Sequence, residues 1–265
     1  MKRLLIISFL FMFLAPHMAV AEAKEVDVPI LMYHNIVANK PNFNDLLASD
    51  MEKDLIYLKQ KGYTTVNMRQ LINYVYNGVA LPKKPIVLTF DDGFYSMKSM
   101  LLPLLKKHNC VAVVSVVGDF VKFDVNNINV AERYAYLTYK EMQVLQDSGY
   151  IEIQNHTNSL HYSKFGRSGC KIKKNEPVES YKKFLENDLQ TLNNNLNKVG
   201  IKPTTFTYPY GAYSKESEEV VKKMKFYSTL SCEYGTNKIT RNKECLYLLK
   251  RYNRYGTLSN LSKLV

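Results

Sequence analysis

Hydrophobic and polar positions follow two rhythms along the chain. Short apolar runs, VPILMYHNI (28–36), PIVLTF (85–90) and CVAVVSVVG (110–118), have the length of strands, the last two buried on both faces. Between them, apolar residues recur three and four apart, which is helical spacing. In SDMEKDLIYLKQKG, Met51, Leu55 and Leu58 keep that spacing between a Ser-Asp start and Gly62. RQLINYVYNG, SMKSMLLPLLKKHN, TYKEMQVLQDSG, ESYKKFLENDLQTLNNNLNKVG and SKESEEVVKKMK read as further helices, the second disturbed near Pro103. YTTVNM, YIEIQNH and TTFTYPYG read as strands, and FYSTLSC and CLYLLKRYN are predicted to close the order as strands. Buried strands alternating with helices predict an α/β fold with a mostly parallel sheet. About seven such units in one domain suit a single-domain distorted (β/α) barrel better than an open sheet.

The first residues break this pattern. MKRLLIISFLFMFLAPHMAVAEAKE has two cations, an apolar run from Leu4 to Leu14 and small residues at Ala19 and Ala21. This predicts an export signal over 1–21 and a mature domain over 22–265, secreted and either free or associated with the cell wall. A retained anchor is the alternative, although the run is shorter than the roughly 20 residues that span a bilayer. No second hydrophobic span, linker or repeat follows, so no membrane span is expected after signal removal, and a monomer is expected.

Composition changes the picture only slightly. Without Lys2 and Arg3 the formal charge falls from +12 to +10. Apart from CKIKKN (170–175) the lysines are dispersed, which favours anionic polymers outside a cell and gives no reason to expect nucleic acid. Cys110, Cys170, Cys232 and Cys245 are too few and too scattered for a disulfide scaffold. Only Cys232 and Cys245 are close in sequence, and whether they bridge stays open.

The chemistry lies just after the strands. His34, Asp91 with Asp92, His156, Tyr210 and Arg251 all follow a predicted strand, and in a parallel sheet such positions gather at the carboxyl edge. Asp-Gly is a common turn dipeptide, so TFDDG by itself could be a solvent turn. Two histidines in NHTNSLH are, alone, more often surface residues than ligands. Together, Asp92, His156 and His161 make one carboxylate and two imidazoles, the three-ligand set of a catalytic metal site with an open position. Asp91 is then a second acid free to act as general base.

TFDDG, the HTNSLH loop and YPYG, in that order on that framework, resemble the polysaccharide deacetylases, carbohydrate esterase family 4 or the NodB homology domain. The spacing of the two histidines is similar to the exported poly-N-acetylglucosamine deacetylase branch. The resemblance runs from VPILMYHNI to about Arg251 and implies Asp91 as base and Asp92, His156 and His161 as metal triad. It implies an oxyanion contact from Tyr210 after Pro209. The chain departs from the family in lacking the arginine before Pro209, for which Arg251, or less suitably Arg254, is the candidate replacement. It also lacks the late histidine that serves as general acid; the resemblance implies His34 instead.

The implied protein is a hydrolase that removes N-acetyl groups from N-acetylglucosamine-type residues of peptidoglycan, poly-N-acetylglucosamine or a related polysaccharide. The implied cofactor is zinc, with cobalt or nickel as substitutes. Alternatives are an O-acetyl esterase of the xylan type and a non-catalytic carbohydrate-binding relative. Loops 118–136 and 162–177 are expected to select the substrate, and tyrosines at a groove to stack on sugars, although core packing explains any single tyrosine equally well.

Overall fold

The computed structural model describes residues 25–127, 130–162, 166–167, 169–254 and 261–265, so the expected signal at 1–21 lies outside the described residues. The chain begins with strands β1 (Val26–Val28), β2 (Ile30–Tyr33), β3 (Asn35–Val37) and β4 (Asp45–Leu47), followed by helix α1 (Ala48–Gln60). Next come β5 (Thr64–Thr65), α2 (Met68–Asn77), β6 (Pro85–Phe90), α3 (Leu102–His108), β7 (Ala112–Val116) and α4 (Tyr139–Asp147). The order ends with β8 (Ile151–Asn155), α5 (Val178–Lys198), β9 (Thr205–Thr207), α6 (Lys215–Lys223), β10 (Ser228–Leu230), β11 (Asn237–Ile239) and β12 (Tyr252–Asn253).

Seven strands pair in the order β10-β9-β8-β7-β6-β2-β12, every pairing parallel, with β5 beside the start of β6. The two ends of this curled sheet approach each other. Leu249 N–H donates to Thr229 O at 2.9 Å and Ser231 N–H to Leu249 O at 2.9 Å, so the segment before β12 runs along β10. β12 then pairs with β2 through Tyr252 and Leu31. This is the distorted (β/α) barrel predicted from the sequence.

Burial explains the apolar runs. All six residues of β6 are buried. Ile86, Leu88 and Phe90 pack with Met51, Leu55, Leu101, Leu105 and Leu145, whereas Val87 faces the other way, to Val66, Met68 and Leu71. A strand covered on both faces leaves no place for the polar alternation of a half-exposed one. The stripe Tyr181, Leu185, Leu189, Leu192 and Leu196 is the buried side of α5.

Three elements differ from the prediction. VPILMYHNI is not one strand but parts of β1, β2 and β3, interrupted at Pro29, which has no N–H to give a ladder, and at His34. SMKSMLLPLLKKHN opens with a π-type turn over Met97–Leu101 before α3 takes over at Leu102, next to Pro103. CLYLLKRYN is mostly not strand: Lys243–Leu246 is a 3-10 turn capped by Asn242, and Leu248 has φ 55, which an extended strand cannot hold. Only Tyr252–Asn253 joins the sheet.

Candidate active site

At the end of β6, Asp91 N–H still donates to Tyr33 O at 3.0 Å, and the chain then turns through Asp92 (φ 74) and Gly93 (φ 78). Both are left-handed, a conformation glycine holds without steric cost. Gly93 has a second constraint, because a Cβ there would lie 2.9 Å from Val116 Cγ1. This turn aims the two carboxylates at the same cavity.

The histidine loop leaves β8 in a similarly tight way. Thr157 has φ 72, and its N–H donates to Asn155 Oδ1 at 2.8 Å. Asp188 of α5 accepts the N–H groups of Asn158 and Ser159 at 2.8 and 2.9 Å, one on each carboxylate oxygen. Gly118 after β7 passes so close that a Cβ would overlap Asn158. Leu160 anchors the loop in the core, and His161 returns to face His156 with ring centroids 5.1 Å apart. The formal Asn155-His156-Thr157 glycosylation sequon is used internally: Asn155 is fully buried and its amide donates to Leu189 O and Asn193 Oδ1.

Asp92, His156 and His161 each direct one ligand atom into a region where all three lie within 4.8 Å of one another. Asp92 Oδ1 is 3.1 Å from His161 Nε2 and 3.7 Å from His156 Nε2. It is buried and accepts no well-formed hydrogen bond, which normally costs about 1–3 kcal/mol. His156 Nδ1 lies 2.7 Å from Thr207 O, which can only accept, so the proton sits on Nδ1 and the Nε2 lone pair faces Asp92. Burial drives His156 down to about 4, keeping it neutral as a ligand must be. Burial also acts to lower His161, but the close approach and negative charge of the Asp92 carboxylate outweigh it and raise it. A buried carboxylate oxygen without a well-formed hydrogen bond, opposite two imidazole nitrogens, fits a divalent metal ion.

Asp91 is in a different environment. Arg251 Nη1 and Nη2 meet its two oxygens at 2.8 and 2.9 Å, and Arg251 Nε donates to Ser231 O at 2.7 Å. Burial pushes the Asp91 carboxyl up, but the Arg251 charge and hydrogen bonds, helped by His156 and His34, hold it well below the usual carboxylate range. Arg254, the other candidate arginine, points away and pairs with Asp54 at 2.9 and 3.1 Å.

His34, just past β2, lines the same cavity of about 560 Å³ as Asp91, Asp92, His156, His161, Tyr210 and Arg251. Tyr210 is exposed with φ 59, and its hydroxyl donates to His161 O at 2.8 Å. Pro209 is buried and shapes the turn without lining the cavity. Cys232 also lines it, with Sγ 3.8 Å from Arg251 Nη2, and all four cysteines are free, which answers the open question of a Cys232–Cys245 bridge.

Sequence reasoning missed Asp188 and Asp54. Both had a readable signal: an acid on the apolar stripe of its helix, Asp188 beside Leu185 and Leu189, Asp54 beside Met51, Leu55 and Leu58.

A family model described as polysaccharide deacetylase matches residues 78–229. The chain is 24% identical over 226 residues to the poly-beta-1,6-N-acetyl-D-glucosamine N-deacetylase of Escherichia coli, covering 77% of this chain and 34% of that protein's length. Its namesake from Staphylococcus epidermidis is 21% identical over 198 residues, 74% of this chain and 64% of that one. Among solved structures, a de-N-acetylase from Aggregatibacter actinomycetemcomitans is similar with a TM-score of 0.76 at 24% identity, over 91% of this chain and 100% of that one. At that identity the likeness is one of fold.

Proposed function

The chain belongs to the polysaccharide deacetylase family, and from that premise we propose that it is an exported, metal-dependent N-deacetylase of N-acetylglucosamine-type polysaccharide, releasing acetate. One observation carries the reading: an acid that is not part of the ligand set, Asp91, shares a cavity with Asp92, His156 and His161. Retaining a metal or binding a glycan needs no such second acid. Export is proposed from the N-terminal pattern over 1–21; among the described residues no helix is long and apolar enough to cross a membrane.

Asp92 Oδ1 and the Nε2 atoms of His156 and His161 would hold zinc, or cobalt or nickel in its place. Such an ion supplies Lewis-acid polarisation of the acetyl carbonyl and a more acidic water. Asp91, kept ionised by Arg251, accepts the proton of the attacking water, and the two-point contact with Arg251 fixes its orientation. The Tyr210 main-chain N–H stabilises the tetrahedral oxyanion. His34 donates a proton to the departing amine.

The test is acetate release by zinc-loaded protein from β-1,6-linked poly-N-acetylglucosamine and, in parallel, from O-acetylated xylan. Release from the first substrate alone is expected, and His34→Ala is expected to lower kcat about 100-fold. Acetate from xylan only would show that the bond is an ester. An unaffected His34→Ala enzyme would move the acid role elsewhere.

A further inference from the structure

Beside the metal cavity lies a second groove of about 470 Å³, and five of its seven lining residues are aromatic: Phe120, Phe123, Tyr134, Tyr136 and Tyr162. Among the described residues no charged side chain lines it. Core packing accounts for part of this, since Phe120 is buried and Tyr136 stacks between Phe94 (centroids 4.7 Å) and Phe120 (4.5 Å). It does not account for Tyr134, which is 47% exposed.

Two connections join the groove to the cavity. Phe120 packs edge-on against the ring of His161 at 5.5 Å and against Tyr162 at 5.3 Å, so its wall continues from a metal-ligand candidate. On the other side, Asn42 Nδ2 donates to Tyr134 Oη at 3.2 Å, and the next residue, Phe43, lines the metal cavity. The groove is also braced from beneath. Leu137 N–H donates to Gly93 O at 2.9 Å and Tyr95 N–H to Ala135 O at 2.8 Å, tying the segment that carries Tyr134 and Tyr136 to the turn after Asp91 and Asp92. Arg133, between these tyrosines and the β3–β4 loop, donates to Asp45 at 3.0 Å and to Lys40 O at 2.9 Å.

We propose that this aromatic groove is a sugar-binding subsite that holds residues of the polysaccharide adjoining the one being deacetylated. The inference rests on the proposed polysaccharide substrate. The occupant follows from continuity and chemistry. A chain with one residue in the metal cavity must leave it, and this groove is joined to that cavity through the Phe120–His161 ring contact and the Asn42–Tyr134 hydrogen bond. A pyranose presents a flat C–H face that suits an aromatic ring and hydroxyls that suit a phenol, and the exposed Tyr134 supplies both. Lys122, with Nζ 5.1 Å from the Phe123 ring centroid and 6.0 Å from that of Tyr162, places a cation above the groove within reach of acetamide carbonyls. Contacts this far from the reacting bond act by adding binding energy for longer chains, so the enzyme would prefer internal residues of a polymer to short fragments.

The experiment measures kcat/KM of the zinc-loaded mature protein on β-1,6-linked N-acetylglucosamine oligomers from dimer to hexamer, and hexamer affinity by calorimetry on the metal-free protein. Tyr134→Ala and Phe123→Ala are expected to cut kcat/KM on the hexamer by about tenfold, with a loss that shrinks as the chain shortens. Tyr134→Phe, which keeps the ring, should restore the chain-length dependence. Hexamer affinity should fall by about the same factor in both alanine variants. Should the protein release no acetate at any length while hexamer binding still depends on Tyr134, the groove stands and the catalytic reading fails. A length dependence identical in unaltered and alanine proteins overturns the groove. So does a Tyr134→Ala effect confined to self-association or to phosphatidylglycerol vesicle binding, which would give the groove a different occupant.

Discussion

Two buried carboxylate–arginine pairs stand on either side of β12, and they use the same chemistry for different ends. Arg251, before the strand, clasps Asp91 at the cavity floor; Arg254, after it, clasps Asp54 of α1. Both arginines use two nitrogens, and all four residues are buried. The difference lies in what else each carboxylate faces. Asp91 faces His34, His156 and an open cavity, and its carboxyl is held well below the usual range. For Asp54, burial prevails over Arg254 and the carboxyl is raised, with the Tyr33 hydroxyl donating to it at 3.3 Å. A buried ion pair is therefore not in itself a mark of an active site. Access to a cavity and the sign of the net shift separate the pair proposed to act from the pair that fastens.

That contrast can be broken by substitution. Asp91→Asn is expected to lower kcat for acetate release about 1000-fold while zinc affinity, measured by competition with a chelating dye, stays within about threefold. Retention of full activity would remove Asp91 from the base role. Asp54→Ala should do the reverse, lowering unfolding free energy by about 3–5 kcal/mol in denaturant titration because Arg254 is left buried without its partner. Its zinc affinity should be unchanged, and a loss of zinc binding at unchanged stability would contradict the separation. Asp188→Ala sharpens the comparison from a third position. It removes the acceptor of two N–H groups in the histidine loop and should weaken zinc binding about 10–100-fold, as outer-shell supports typically do. The smallest effect is expected for Asp54→Leu with Arg254→Met, which replaces both charges by apolar groups and should return stability to within about 1 kcal/mol of the unaltered protein.

Much of this architecture was legible in the sequence because period carries it. PIVLTF and CVAVVSVVG could be buried strands only because both faces are covered, and the apolar stripe of five residues from Tyr181 to Leu196 could only be a packed helix. The converging residues were legible by position, each just past a strand. What periodicity hid was backbone conformation and distant pairing. CLYLLKRYN has the composition of a strand, but Asn242 caps the 3-10 turn at its start, and Leu248, in the left-handed region, and Leu249 donate to Thr229 of β10, about 20 residues earlier. The choice between Arg251 and Arg254 was likewise a matter of which side of a two-residue strand each emerges from. Asp54 and Asp188 interrupt apolar stripes, a signal visible in sequence that names no partner.

The seam where β12 meets β2 also ties the completed site to the closure of the barrel. Asp92, His156 and His161 are all present once the first 161 residues have emerged, whereas Asp91 is separated by 160 positions from the arginine that orients it. The supports of the two histidines, Thr207 and Asp188, and the arginine that orients the proposed base all follow Asp92, His156 and His161 in the chain. The proposed base is therefore oriented only in a closed barrel, because its arginine stands at the seam between the two edges of the sheet.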